Sequence, residues 1–274
     1  MDYKLFDLHC DTPYRMIKEN QMLRKNQLHI ALDKASYLSR YAQIAAIWSD
    51  CELSDNDAYL AFWRILNNFK REIETNRQRA AICRSYDDFA QLPDGVAAFF
   101  LAVEDARILG SNVERIREIY DAGIRFISLN WAGENILGGG YDTNSPLTHI
   151  GRSVVKTAFD LGMVIDVSHS SAKVIDEIAE MAAAIKRPII ASHSDCNSIA
   201  VHPRNLTDSQ FTKIKQSGGI VGISLANSHL CGKSAARAKI DDIVSHIEYF
   251  LGLDGQHTVC LGCDFDGIES TPEN

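Results

Sequence analysis

Short apolar runs alternate with amphipathic segments along nearly the whole chain, and that alternation predicts strands separated by helices. Leu5 to Leu8 reads as a first strand, a polar and partly helical stretch runs on through Asn26, and Tyr41 to Trp48 reads as a second strand. From Asp55 to Thr75 the residues Tyr59, Phe62, Trp63, Leu66 and Phe69 recur at helical spacing, which predicts a long helix whose aromatic stripe packs on a core. Gly95 to Val103 is almost unbroken apolar sequence ending in Glu104-Asp105, the pattern of a strand buried on both faces. Strands over Ile124–Leu129, Met163–Val167, Pro188–Ser192, Gly219–Leu225 and Thr258–Gly262 then alternate with helices near Asn112–Asp121, Pro146–Leu161, Ser171–Ile185, a Thr207-capped segment to Gln216, and Ile240–Leu251. Crossover helices make neighbouring strands parallel, and eight such units favour a closed (β/α)₈ TIM barrel over an open doubly wound sheet.

Composition agrees with one large core. The chain has 274 residues, 46% of them hydrophobic, with six prolines, no clear repeat and no low-complexity linker, so residues 1–274 are expected to form a single barrel domain. The longest apolar runs, Gly95–Val103 and Gly219–Ala226, fall short of the roughly 20 residues that span a bilayer, and no basic-then-apolar leader opens the chain. A cytoplasmic protein without membrane association is the expectation. Seven cysteines, an odd number, suit reduced thiols better than a disulfide framework. Cys260-Leu261-Gly262-Cys263 is a lone CxxC whose two sulfurs would leave a strand on opposite faces, which argues against a zinc ribbon or a redox pair. A net charge of -8 disfavours nucleic acid and anionic membranes as partners, and is compatible with an acidic site that holds cations.

Barrel enzymes carry their chemistry where strands end, so the residues just past each strand are the informative ones. The first strand delivers His9 and Asp11, two residues apart and hence on one face, with Cys10 turned the other way. Glu104 follows the third strand, His169 the fifth, His193 the sixth, and Asp264 with Asp266 the eighth. Each alone has a bland reading as a hydrogen-bonded structural histidine or a helix N-cap. Together they exceed what one catalytic zinc needs, since such an ion takes three protein ligands; two metals sharing a carboxylate would use them all. His29, His246 and His257 suit surface or packing roles, whereas His149, His202 and His229 are placed to edge the site. Gly138-Gly139-Gly140 lacks the context of a dinucleotide fingerprint and reads as a flexible loop at the barrel mouth. Arg204, on the loop after the sixth strand, is either a solvent-exposed arginine or a planar fork for a substrate carboxylate.

Six stretches resemble the successive motifs of the membrane (renal) dipeptidase family, peptidase family M19, including its soluble bacterial members. They are Asp7-Leu8-His9-Cys10-Asp11-Thr12, Val103-Glu104-Asp105, Ile165-Asp166-Val167-Ser168-His169-Ser170-Ser171, Ser192-His193-Ser194, Pro203-Arg204-Asn205-Leu206 and Gly262-Cys263-Asp264-Phe265-Asp266-Gly267. The resemblance implies a (β/α)₈ barrel, two Zn2+ ions per chain bridged by a glutamate, hydrolysis of dipeptides that sometimes end in a D-residue, and a homodimer. Residue by residue it implies His9 and Asp11 on the first zinc, Glu104 as the bridge, His169 and His193 on the second, Asp264 as the acidic residue beside the first, and Arg204 on the substrate's terminal carboxylate. Trp131 stands where animal members carry a substrate-contacting histidine, which makes it a substrate-binding candidate with an altered preference.

The charges agree with that scheme. Two zinc ions bring four positive charges, which Asp11, Glu104, Asp264 and one hydroxide would offset. The expected mechanism has a metal-bridging hydroxide attack the peptide carbonyl while Asp264 passes a proton to the leaving amine. The chain stops ten residues after Asp264, so either the barrel is truncated after its last strand or another element covers that edge. Two other readings compete: a different two-metal barrel amidohydrolase or lactonase, for which the frequent bridging lysine is lacking after strands three and four, and a metal-binding barrel without turnover.

Overall fold

A computed structural model describes residues 3–232 and 237–273. Eight strands run parallel: β1 (Lys4–Cys10), β2 (Arg40–Ile47), β3 (Ala97–Val103), β4 (Ile124–Ser128), β5 (Val164–Asp166), β6 (Ile189–Ile190), β7 (Val221–Ile223) and β8 (Val259–Leu261). Their neighbour order is β7-β8-β1-β2-β3-β4-β5-β6, and a parallel bridge between Ala191, just past β6, and Val221 in β7 closes the ring. The fold is therefore a (β/α)₈ TIM barrel. An additional short strand, Ala80–Ile82, shares the edge of β3 below the point where β4 pairs with it. Its three residues are too short a run to stand out from the helical sequence before them. Closure is tight at one seam: a Cβ on Gly262 would overlap the carbonyl oxygen of Ser192, so only glycine lets β8 approach the end of β6.

Alternation sorts the side chains into layers. Phe99, Leu101 and Val103 of β3 point outward into the main core with Phe62 and Phe69, whereas Phe100 and Ala102 point inward to Leu8, Ile44, Ala46 and Ile190. The long helix Asp55–Thr75 lies against the outer layer. Ser54 caps it by accepting from the Asp57 amide at 3.3 Å, and Phe69 meets Phe99 edge to face at 5.3 Å, so its aromatic stripe is packing as expected.

Two local features depart from simple periodicity. In β1 the register against β2 goes from Asp7–Gln43 to Cys10–Ala45, three residues against two, which is a β-bulge. Leu8 fills the barrel interior while Asp7 and Cys10 lie on the outer side, and the extra residue also turns His9 inward. The glycine run is the second departure. Gly138–Gly139 pairs with Glu134–Asn135 in a small antiparallel ladder, all three glycines are buried, and a Cβ on Gly140 would sit 2.7 Å from the Gly133 carbonyl oxygen. The run is a close-packed hairpin edge; glycine is required there for approach, and the expected flexible loop is corrected accordingly.

Candidate metal centre

Inward-facing alternation carries through to the tops of the strands and gathers their terminal residues. Glu104, next in phase after Phe100 and Ala102, lies 5% exposed with His169 Nε2 at 2.8 Å from its Oε1 and His9 Nε2 at 3.4 Å from its Oε2. His193 Nε2 is 3.8 Å from Oε1 and 2.9 Å from His169 Nε2. On the other side Asp11 Oδ2 is 3.5 Å, and Asp264 Oδ1 4.0 Å, from His9 Nε2. Two ligand-like groups result, His9–Glu104–His193 and His9–Asp11–Asp264, each with its donor atoms within 4.8 Å of one another. Asp264 follows β8 with a positive φ of 58°, a left-handed conformation that aspartate tolerates better than most residues.

The hydrogen bonds behind the rings set which nitrogen faces inward. Asp166, at the end of β5, accepts from the Ser192 hydroxyl at 2.5 Å and the Ser168 hydroxyl at 2.7 Å. Ser192 thereby commits its one hydroxyl proton, so it accepts from the Nδ1–H groups of His193 at 2.7 Å and His9 at 3.2 Å. The Trp131 carbonyl accepts from His169 Nδ1 at 3.3 Å. All three imidazoles are left with Nε2 directed at the acidic cluster, the orientation a metal-binding histidine needs.

Electrostatics point the same way. Burial opposes a charge on Glu104, yet His9 and His169 hold its carboxyl well below the usual range. Burial and the neighbouring Glu104 charge push Asp11 up to about 6, and burial raises Asp264 well above its ordinary value despite His9 and Arg204. Burial, then Arg204, pulls His169 down to about 4, and burial with His9 lowers His193 further from the histidine range. Burial alone would lower His9, but Glu104 and Asp11 outweigh it and raise the imidazole. The cluster is thus short of positive charge. His9 Nε2 and Asp11 Oδ1 are buried without a hydrogen-bond partner, and oxygen and imidazole donors at these spacings suit divalent ions of the zinc type.

A cavity of about 430 Å³ opens above the cluster. Arg204 lines it from the β6 side at 4% exposure; its Nη2 donates to the His193 carbonyl at 3.3 Å, and its Nη1 is buried without an acceptor. Trp131 lines the same cavity, with its indole 6.0 Å from the His169 ring and 5.6 Å from Trp48. His202 and His229 stand in the wall beside Arg204, as expected of site-edging residues, while His149 is exposed and does not line it. His246 is a packing residue, accepting from the Cys196 amide at Nδ1 and donating to the Leu230 carbonyl, and His257 is exposed. All seven cysteines are free thiols. Asp166 and Ser192 do not stand out in the sequence because both fall inside the expected strands Met163–Val167 and Pro188–Ser192 rather than past them; their signal is only their adjacency to His169 and His193.

The model of the membrane dipeptidase family, peptidase family M19, matches residues 1–274. Among curated relatives, an uncharacterised protein of Klebsiella pneumoniae is 33% identical over 217 residues, 75% of this chain and 79% of that protein. An uncharacterised dipeptidase of Schizosaccharomyces pombe is 24% identical over 99% of this chain and 71% of its own length. A metallopeptidase of Rhodobacter sphaeroides, solved with a phosphinate mimic of the dipeptide L-Ala-D-Ala, superposes with a TM-score of 0.90 at 22% identity, covering 100% of this chain and 88% of that one. No helix among the described residues is long and apolar enough to cross a membrane. On the whole-chain family match, over a barrel whose rim gathers histidines and carboxylates, this chain belongs to the membrane dipeptidase family of metallopeptidases, M19.

Proposed function

We propose that the protein is a dinuclear zinc dipeptidase acting on L,L and L,D dipeptides, folded as one domain over residues 1–274. The observation that carries the reading is the convergence of three Nε2 atoms on a buried carboxylate, one of them, that of His9, without a hydrogen-bond partner, beside an Asp11 oxygen that also has none. His9 and Asp11 would hold one ion, His169 and His193 the other, with Glu104 offering one oxygen to each side. Bound divalent ions would supply Lewis acidity and activated water at neutral pH. The chain's own groups supply the rest: Asp264 carries a proton to the leaving amine from its place in the cavity wall. The inclusion of L,D dipeptides draws support from the ligand of the Rhodobacter sphaeroides structure.

Arg204 is the proposed anchor for the substrate's terminal carboxylate, because its partnerless Nη1 is a buried donor that such a group satisfies. Arg204→Ala is expected to raise KM by about 10–100-fold, the scale of a lost charged hydrogen bond, and to abolish discrimination against dipeptides with an amidated carboxyl end. Equal discrimination in the variant and the parent would remove Arg204 from this role. Trp131 is proposed to contact substrate from the opposite side of His169.

Metal analysis combined with a panel of L,L and L,D dipeptides tests the whole reading. Two zinc equivalents with dipeptide turnover are expected. Two equivalents without hydrolysis of any dipeptide would favour a barrel that binds metal without turnover, and hydrolysis of a lactone or cyclic amide alone would favour the other barrel hydrolases.

A further inference from the structure

Beyond the metal cluster, the cavity has a second set of polar groups without partners. The indole nitrogen of Trp48 and the Nε of Arg15 are both buried, both donors, and both without a hydrogen-bond acceptor, and both residues line the cavity that Arg204 lines from another side. A buried donor left unsatisfied costs about 1–3 kcal/mol. Two of them among the lining residues of one ligand cavity are donors that an acceptor on a ligand would satisfy.

The barrel order says which part of a substrate meets them. Trp48 follows β2 and Arg15 lies on the helix after β1, whereas Arg204 comes from the loop after β6; β2 and β6 are four strands apart around a ring of eight and so face each other across the metal cluster. A dipeptide held by its carboxylate at Arg204, with its peptide bond over the cluster, directs its N-terminal residue to the Trp48 and Arg15 wall. That wall is aromatic as well: Tyr14 meets Trp48 edge-on at 4.7 Å, and Trp48 lies 5.6 Å from Trp131. Lys18 also lines it, as does Asp50, whose Oδ1 accepts from the Glu52 amide at 3.1 Å, and Glu19 pairs with Arg15 Nη2 at 2.6 Å.

We infer that this wall is a subsite for an acidic side chain on the substrate's N-terminal residue, so that the preferred dipeptides begin with glutamate or aspartate. A carboxylate has two oxygens for the two donors, lies against aromatic edges, which carry the positive end of the ring quadrupole, and meets the Lys18 ammonium. A neutral amide offers one acceptor oxygen, an aliphatic side chain offers none, and a lysine side chain brings further donors. The inference rests on the dipeptidase reading above.

The test compares kcat/KM of the zinc-loaded enzyme for L-Glu-L-Ala, L-Gln-L-Ala, L-Leu-L-Ala and L-Lys-L-Ala, then repeats the series with Trp48→Phe and Arg15→Gln. The expected order is Glu, Gln, Leu, Lys, with Glu over Leu by about tenfold or more, the worth of one charge-assisted hydrogen bond. Trp48→Phe keeps the ring and removes the donor, so it lowers the Glu-to-Leu ratio, as does Arg15→Gln from the helix side. Dipeptide hydrolysis without an acidic preference, or a preference that neither variant changes, would overturn the subsite alone. Absence of hydrolysis for every dipeptide would overturn it together with the dipeptidase reading.

Discussion

Glu104→Gln is expected to empty the centre. The substitution keeps shape but removes the one strongly ionised carboxylate that both halves of the cluster share, so each side loses an anionic oxygen at once. Metal affinity should fall by more than the roughly 10–100-fold that follows loss of a ligand's hydrogen-bond partner, and turnover should fall with it. Metal content after dialysis, measured beside far-UV circular dichroism to establish that the barrel is intact, reads the result. Two retained equivalents and parental turnover would exclude Glu104 as a shared ligand.

Asp264→Asn separates proton transfer from metal binding. If Asp264 is the proton carrier, the variant keeps its metal and loses about 10²-fold or more in turnover, the usual contribution of a positioned acid or base. Its Oδ1 also lies 4.0 Å from His9 Nε2, within the same group of candidate ligands, and a ligand role would instead show as lost metal. Burial raises this carboxyl well above its ordinary value, so the parent's pH profile should carry a limb above the usual carboxylate range. That limb should disappear in the variant. Unaltered turnover and an unaltered profile would take Asp264 out of the mechanism.

The sequence was legible where a local pattern reports burial. Gly95 to Val103 announces a strand buried on both faces because nearly every position is apolar, and Tyr59, Phe62, Leu66 and Phe69 announce a helix because one stripe is. Knowing that barrels expose chemistry at strand ends then isolates His9, Asp11, Glu104, His169, His193 and Asp264 without any contact information. The glycine run is ambiguous in sequence for the converse reason. Glycine permits both mobility and close approach, and only the positions of Gly133 and Ser145 around Gly139 and Gly140 distinguish the two.

By itself, then, the order of residues determined eight strands, most of the helices between them and the chemical types at one rim, because these follow from periodicities of two and 3.6 residues. Tertiary structure alone decided how those types act together. The bulge in β1 turns His9 inward against its alternation with Asp7, and the Asp166–Ser192 pair directs two imidazoles from separate strands toward one acidic cluster. The unpaired donors of Arg15, Trp48 and Arg204 are likewise a property of the closed ring. Whether a polar group has a partner depends on atoms brought in from distant parts of the chain, and closure of the barrel is what fixes those distances.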